Sequence, residues 1–217
     1  LIVLEDADLD KAAKLTVAGA YGNAGQACRG VKRILVVESV ADAYAEKLKE
    51  LTEKIKYGDP FAEGIAVGTV IDEQAAIEIE DAVKGAIKDG AKVLCGNKRE
   101  GALFSPTVVD HCKADSAMVM DETFGPIAPI IRVKDVVEAC KVANSTEFGL
   151  QSGVVTNNLD NIRYCIKHLK VGAVNINEGP QHDMPNIPFG GVKQSGVGRE
   201  GIRYAIQEMT YIKCVVL

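Results

Sequence analysis

Short apolar runs alternate with stretches of helical spacing along most of this chain, and that alternation limits its fold more than any other feature. Residues 32–37 and 127–133 are branched, apolar strand candidates, the second long enough to be buried on both faces. Shorter strands are predicted over 92–94, 106–110, 153–156, 173–176 and 211–217. Helices are predicted over 8–22, with Ala12, Leu15, Ala18 and Gly19 on one face, and over 72–89, 135–143, 159–169 and 201–208. Ser39-Val40-Ala41-Asp42 resembles a capping box opening a long helix to about residue 56, where Gly58-Asp59-Pro60 breaks it. Residues 178–195 are rich in Pro and Gly and read as a long loop. Strands alternating with helices predict an α/β fold, a mainly parallel sheet flanked by helices.

Composition narrows the function classes. With 217 residues, 47% hydrophobic and 25% charged, the chain is long enough to bury a large core. A net charge of −5, with no basic face carrying interleaved aromatics, argues against a nucleic-acid binder. No apolar run approaches the roughly 18 residues that span a membrane. The first residues carry no basic segment of a signal peptide and read as a strand already under way. A reducing cytoplasm is the expected compartment.

Cys28 is the first candidate for chemistry. It lies between a helical, small-residue run and the strand at 34–37, at a junction that presents a side chain to a cleft. Arg29, Lys32 and Arg33 follow within five residues, and nearby cations favour the nucleophilic thiolate. The other five cysteines, Cys95, Cys112, Cys140, Cys165 and Cys214, are widely spread. They form no CxxC, so zinc ligation is not expected, and they read as small buried hydrophobes, although an even count permits disulfides.

Gly196-Val197-Gly198-Arg199-Glu200-Gly201 spells GxGxxG, but no strand precedes it and the chain runs only 16 residues past Gly201. A dinucleotide fingerprint needs the strand and an acidic residue further on, so close backbone packing is the expected use of these glycines. Asp121-Glu122-Thr123-Phe124-Gly125-Pro126 carries more. Gly-Pro places a turn at the mouth of a strand, where ligands sit in α/β folds. A carboxylate there can accept from ribose hydroxyls, and an aromatic ring can pack on a heterocycle. Taken alone, a solvated Glu122 and a core Phe124 are the simpler reading.

Together, three segments in this order resemble the catalytic domain of the aldehyde dehydrogenase superfamily. They are Gly25-Gln26-Ala27-Cys28, Glu122-Thr123-Phe124-Gly125-Pro126, and the run from Pro188-Phe189-Gly190-Gly191 to Gly198-Arg199-Glu200. Gly58-Asp59-Pro60, Ser105-Pro106-Thr107, Phe148-Gly149-Leu150 and Gly172-Ala173-Val174-Asn175-Ile176-Asn177 agree. The resemblance implies that Cys28 is the nucleophile, that Glu122 holds the nicotinamide ribose of NAD or NADP, and that Phe124 packs near the nicotinamide. It implies that Asn177 belongs to the strand below the site, and that residues 209–217 form an oligomerisation strand beside a catalytic domain over 1–208. The implied reaction oxidises an aldehyde to the acid through a Cys28 thiohemiacetal and thioester.

The family's cofactor domain, its oxyanion-hole asparagine and a Glu-Leu-Gly-Gly segment bearing the general base have no match here. The expectation is therefore a catalytic-domain portion of a longer dehydrogenase, inactive alone. Within the superfamily the chain is most similar to phosphonoacetaldehyde dehydrogenases, on Leu4-Glu5-Asp6-Ala7-Asp8, Val31-Lys32-Arg33-Ile34-Leu35 and Lys56-Tyr57-Gly58-Asp59-Pro60. Non-phosphorylating glyceraldehyde-3-phosphate and lactaldehyde dehydrogenases are neighbours. That branch often carries arginine before the nucleophile and threonine after; here Ala27 and Arg29 stand there. Arg29 either binds an anionic group of the substrate or points away, and His182, in the loop where the family shapes its pocket, is a second substrate candidate. His111 and His168 read as structural or surface residues. Three rivals remain at this point: a CoA-acylating dehydrogenase, a cysteine hydrolase with a Cys–His pair, and a non-catalytic assembly module using the terminal strand.

Overall fold

The computed structural model describes residues 1–181 and 184–217. Among these, seven strands form one sheet: β1 (Ile2–Val3), β2 (Ile34–Val37), β3 (Lys92–Cys95), β6 (Thr107–Asp110), β7 (Ile127–Val133), β8 (Gln151–Val155) and β9 (Ala173–Ile176). Their order is β3-β6-β7-β2-β1-β8-β9, and every pairing is parallel except the edge pair β3–β6. A hairpin, β4 (Arg99–Glu100) and β5 (Leu103–Phe104), stands apart.

The predicted α/β class is the observed one, and its cause is visible in the central strands. All four residues of β2 are buried, paired from Ile34 with Ile130 to Val37 with Val133. A strand buried on both faces needs side chains apolar at every position, which Ile-Leu-Val-Val supplies. Helices α1 (Leu9–Tyr21) and α2 (Glu38–Glu53) pack together and on β7; α2 also packs on β2. α5 (Val136–Ala143) packs on β2 and β7 and against α6 (Leu159–His168). α3 (Glu73–Lys88) lies against β3 and the short α4 (Ala117–Met120), and α7 (Ile202–Glu208) follows the long loop. None of the described helices is long and apolar enough to cross a membrane.

Several local expectations change. The buried face of α1 is Ala12, Ala13, Thr16, Gly19 and Ala20, while Ala18 is exposed. Thr16 can face inward because its hydroxyl reaches Ala12 O at 3.0 Å and Tyr44 Oη at 2.6 Å. α2 begins at Glu38 with Val37 as its N-cap, and no side chain caps it. β2 runs straight into the helix, so Ser39 falls inside the first turn. Residues 211–217 form no strand; they are exposed throughout and pair with no described strand. Cys112, Cys140 and Cys165 are buried as expected, but Cys95 is only half-buried and Cys214 is exposed with its tail. All six cysteines are free thiols. Of the GxGxxG glycines, Gly201 packs closely, an added Cβ lying 3.2 Å from Ile187 O, whereas a Cβ on Gly196 or Gly198 would meet nothing within 4 Å and these two supply positive φ of 137° and 79°.

The start of α5 is as the sequence predicts. Asp135 Oδ1 accepts from the amides of Val137 and Glu138, both at 2.9 Å, and Glu138 Oε2 accepts from Lys134 N at 2.6 Å. Asp135→Ala leaves those donors to water and should cost ~1 kcal/mol. Thermal denaturation should show Tm lower by about 2–4 °C, with Asp135→Asn close to wild type.

Candidate active site

Open α/β sheets usually bind ligands at the carboxyl ends of their strands. Here the main cleft, about 290 Å³, opens at the amino ends instead. Leu1 and Ile2 line it at the start of β1, Arg33 and Leu35 at β2, Glu122 ahead of β7, and Gln151 and Ser152 at the start of β8. Residues 121–126 sit at a strand mouth as expected, but at the amino end of β7 rather than at a carboxyl end. Cys28 and Glu122, 94 residues apart in the chain, line this one cleft.

The turn bearing Cys28 is built from left-handed backbone. After α1 the chain passes through Asn23, Ala24 and Gly25 at φ of 52°, 54° and 74°. Asn and Gly adopt this region readily, but alanine pays roughly 1–2 kcal/mol for it. Cross-bonds hold the turn: Asn23 Nδ2 donates to Gln26 O, and Gln26 N and Nε2 donate to Asn23 O, each at 3.1 Å. A tight turn follows, closed by Gly30 N to Ala27 O at 3.0 Å, with exposed Cys28 in it. Val31 N then returns to Gly19 O on α1 at 3.0 Å.

Gly25 binds the two segments together. A Cβ there would lie 2.0 Å from Gly125 O, so the nucleophile turn and the Gly-Pro turn touch through backbone. Gly125 is in turn pressed against Ile79 of α3, whose Cδ1 would lie 2.3 Å from an added Cβ.

Each of the three cations near Cys28 has its own task. Arg33 donates to Val142 O, Ala143 O and Thr146 Oγ1, closing the carboxyl end of α5, where a cation is favoured. Arg29 Nη1 donates to Gln181 O at 2.6 Å, so this side chain reaches the 178–195 loop and lines the cleft. Lys32 Nζ donates to Gly25 O at 2.6 Å and Thr123 O at 3.1 Å and stands 4.2 Å from the centre of the Phe124 ring. Burial pushes Lys32 down to about 8, while Glu122 and Cys28 pull it back up.

Glu122 is exposed in the cleft and Phe124 is 43% exposed, so the simpler reading of a core ring does not hold. A carboxylate and an open ring on one short segment fit the ribose and nicotinamide of a dinucleotide, with Lys32 behind the ring. His182 lies outside the described residues. His111, beside Asp110, and His168, stacked on Tyr164, are not among the residues lining the cleft. Asn177 follows β9 directly and exchanges side-chain bonds with Thr156 N and O, both at 3.0 Å. The chain then folds back over Gly153, where an added Cβ would be 2.4 Å from Glu178 O, and Pro180 reaches the cleft. Sequence reasoning missed the Asn23–Ala24 backbone and the contacts of Lys32. An Asn two residues before Gly25 was the available signal for the first.

The aldehyde dehydrogenase family model matches residues 1–215. The chain belongs to the aldehyde dehydrogenase family. It is 40% identical over 217 residues to a sulfoacetaldehyde dehydrogenase of Neptuniibacter caesariensis, covering 100% of this chain and 48% of that one. It is 44% identical over 215 residues to an NADP-dependent glyceraldehyde-3-phosphate dehydrogenase of Streptococcus equinus, covering 99% and 45%. The crystal structure of a glyceraldehyde-3-phosphate dehydrogenase, GapN, from Methanocaldococcus jannaschii complexed with NADP superposes with a TM-score of 0.93 at 42% identity, over 98% of this chain and 46% of that one. The chain thus spans about half the length of these aldehyde dehydrogenases.

Proposed function

We propose that the complete protein is an NAD(P)-dependent aldehyde dehydrogenase in which Cys28 is the nucleophile and this chain supplies the sulfur and part of the cofactor site. The reading is carried by an exposed Cys28 on a turn held against the Gly125 backbone, with Glu122 lining the same cleft. The Cys28 thiolate attacks the aldehyde carbon; a C–S bond forms and the carbonyl π pair moves to oxygen, giving a thiohemiacetal. The Cys28 amide is this chain's donor to that oxygen, and donors of this kind contribute ~3–4 kcal/mol to the transition state. When bound, the dinucleotide supplies the acceptor for the hydride. Glu122 would accept from its ribose hydroxyls and the Phe124 ring would flank its nicotinamide. Collapse of the thiohemiacetal leaves a thioester on Cys28, and water releases the carboxylic acid and frees the thiol. Splitting the oxidation in this way replaces one hard step by two easier ones. The general base for water is a residue outside this chain, so the chain alone is expected to react with thiol labels and not to turn over.

The proposed substrate is a small anionic aldehyde of the phosphonoacetaldehyde type. Arg29, Lys32 and Arg33 all line the cleft, and Arg29 is the one that reaches the loop flanking its entrance. Relatives named for sulfoacetaldehyde and glyceraldehyde 3-phosphate support an anionic substrate, and others at similar identity are named for the neutral lactaldehyde. Losing a hydrogen bond to a charged group costs about 1.5–3 kcal/mol, so Arg29→Gln should raise KM for phosphonoacetaldehyde and sulfoacetaldehyde roughly 10-fold or more. KM for propanal should stay within about twofold. Equal effects on charged and neutral aldehydes would remove Arg29 from the anion site. The exposed apolar tail, with Ile212, Val215, Val216 and Leu217 in water, is further inferred to pair with a second subunit of the complete protein.

A further inference from the structure

We propose that Lys32 is a positioning residue: its ammonium group fastens the turn that carries Cys28 to the segment that faces the cofactor, and so fixes the sulfur relative to the nicotinamide site. This rests on the reading of Cys28 and Phe124 given above. The geometry is specific. Nζ is bonded to a carbonyl on each side, Gly25 O at 2.6 Å and Thr123 O at 3.1 Å, and lies 4.2 Å from the Phe124 ring centre. An ammonium has three donors, and these three contacts use them all. Both carbonyls belong to residues close to functional ones: Gly25 is three before Cys28, and Thr123 lies between Glu122 and Phe124. Without Lys32 these two acceptors and the ring face would lose their common partner, and the Gly25–Gly125 backbone contact would hold the segments without this bridge.

The fastening depends on charge. A cation strengthens bonds to carbonyls and is what a ring face attracts. Glu122 and Cys28 act on the Lys32 charge, and Arg29, Arg33 and Asp121 line the same cleft. Burial brings Lys32 down to about 8, so the ammonium form dominates at pH 7 and is lost as pH rises through that value. The expected consequence is a loosened turn and a slower hydride step on the alkaline side.

Two variants of the complete enzyme test this. Lys32→Met keeps the stem and removes the donors; it should lower kcat by ~10- to 100-fold, the equivalent of one bond to a charged group, and raise KM for NAD(P)+. Lys32→Arg stays charged, so it should recover part of the rate and carry its activity to higher pH than wild type. Hydrogen–deuterium exchange, read without aldehyde or cofactor, should show peptides over 22–29 and 121–125 opening together in Lys32→Met at pH 7. The same pair should open in wild type above pH 9, after correction for intrinsic exchange, and not in Lys32→Arg. If Lys32→Met does not fold, the comparison of wild type with Lys32→Arg across pH still decides. Wild-type kinetics and unchanged exchange in Lys32→Met, or opening of only one of the two segments, would overturn the inference. If wild type oxidises no aldehyde, the proposed function fails, and the exchange result still decides the role of Lys32.

Discussion

Cys28→Ser in the complete protein should abolish aldehyde oxidation, lowering kcat by at least ~10³-fold, on the scale seen when a covalent nucleophile is removed from an enzyme. The reason is chemical. A thiolate is an intrinsically strong nucleophile that exists in useful amounts near neutral pH, whereas a serine hydroxyl needs a base to activate it. Cys28 is exposed in its turn, so the exchange of sulfur for oxygen removes little packing, and Tm should stay within about 1 °C. NADP+ affinity should also hold, since Glu122 and Phe124 are untouched. Oxidation continuing near the wild-type rate would end the role assigned to Cys28, whatever the family.

Gly25→Ala should be strongly damaging. An alanine there must hold φ near +74°, and its methyl carbon would lie 2.0 Å from Gly125 O and 2.9 Å from Ala20 O. Both obstacles are backbone, so no side chain can swing aside. Steric conflict and left-handed backbone together should cost about 3 kcal/mol or more, which for a domain of this size lowers Tm by about 6–12 °C. If the turn relieves the clash by moving, Cys28 moves with it, and a displacement of ~1 Å is enough to cost ~10²-fold in rate. Gly196→Ala is the control: its added Cβ meets nothing within 4 Å, so only the backbone strain of a φ of 137° remains. Similar losses of stability in the two variants would show that close approach at Gly25 is not the reason for glycine.

The fold was legible in the sequence because burial writes itself into composition. A strand covered on both faces, such as β2, reads as an unbroken branched apolar run, β7 reads as a mostly apolar one, and Asp72 and Asp135 mark helix starts by the amides that their side chains accept. What was not legible depends on distant partners. The inward turn of Thr16 follows from a hydroxyl on Tyr44, 28 residues away. The start of α2 follows from β2 running into it without a linker. Residues 211–217 look like a strand because their composition is that of one, yet a strand needs an edge to pair with. At the site, local motifs marked Cys28, Glu122 and Phe124, and the resemblance gave them roles. The cations near Cys28 were legible only as charges. Their division of labour, with Arg33 at the end of α5, Arg29 at the loop and Lys32 between two carbonyls, comes from the three-dimensional arrangement.

The central claim is that a covalent bond forms between the aldehyde carbon and Cys28. The direct measurement is rapid quenching of the complete enzyme with NADP+ and an aldehyde such as phosphonoacetaldehyde, followed by mass spectrometry of the digested protein. An acyl adduct on the peptide containing Cys28, dependent on the cofactor and absent from Cys28→Ser, is the predicted result. An adduct on Cys95 or Cys214 with Cys28 unmodified, or steady oxidation with no adduct on any cysteine, would contradict it.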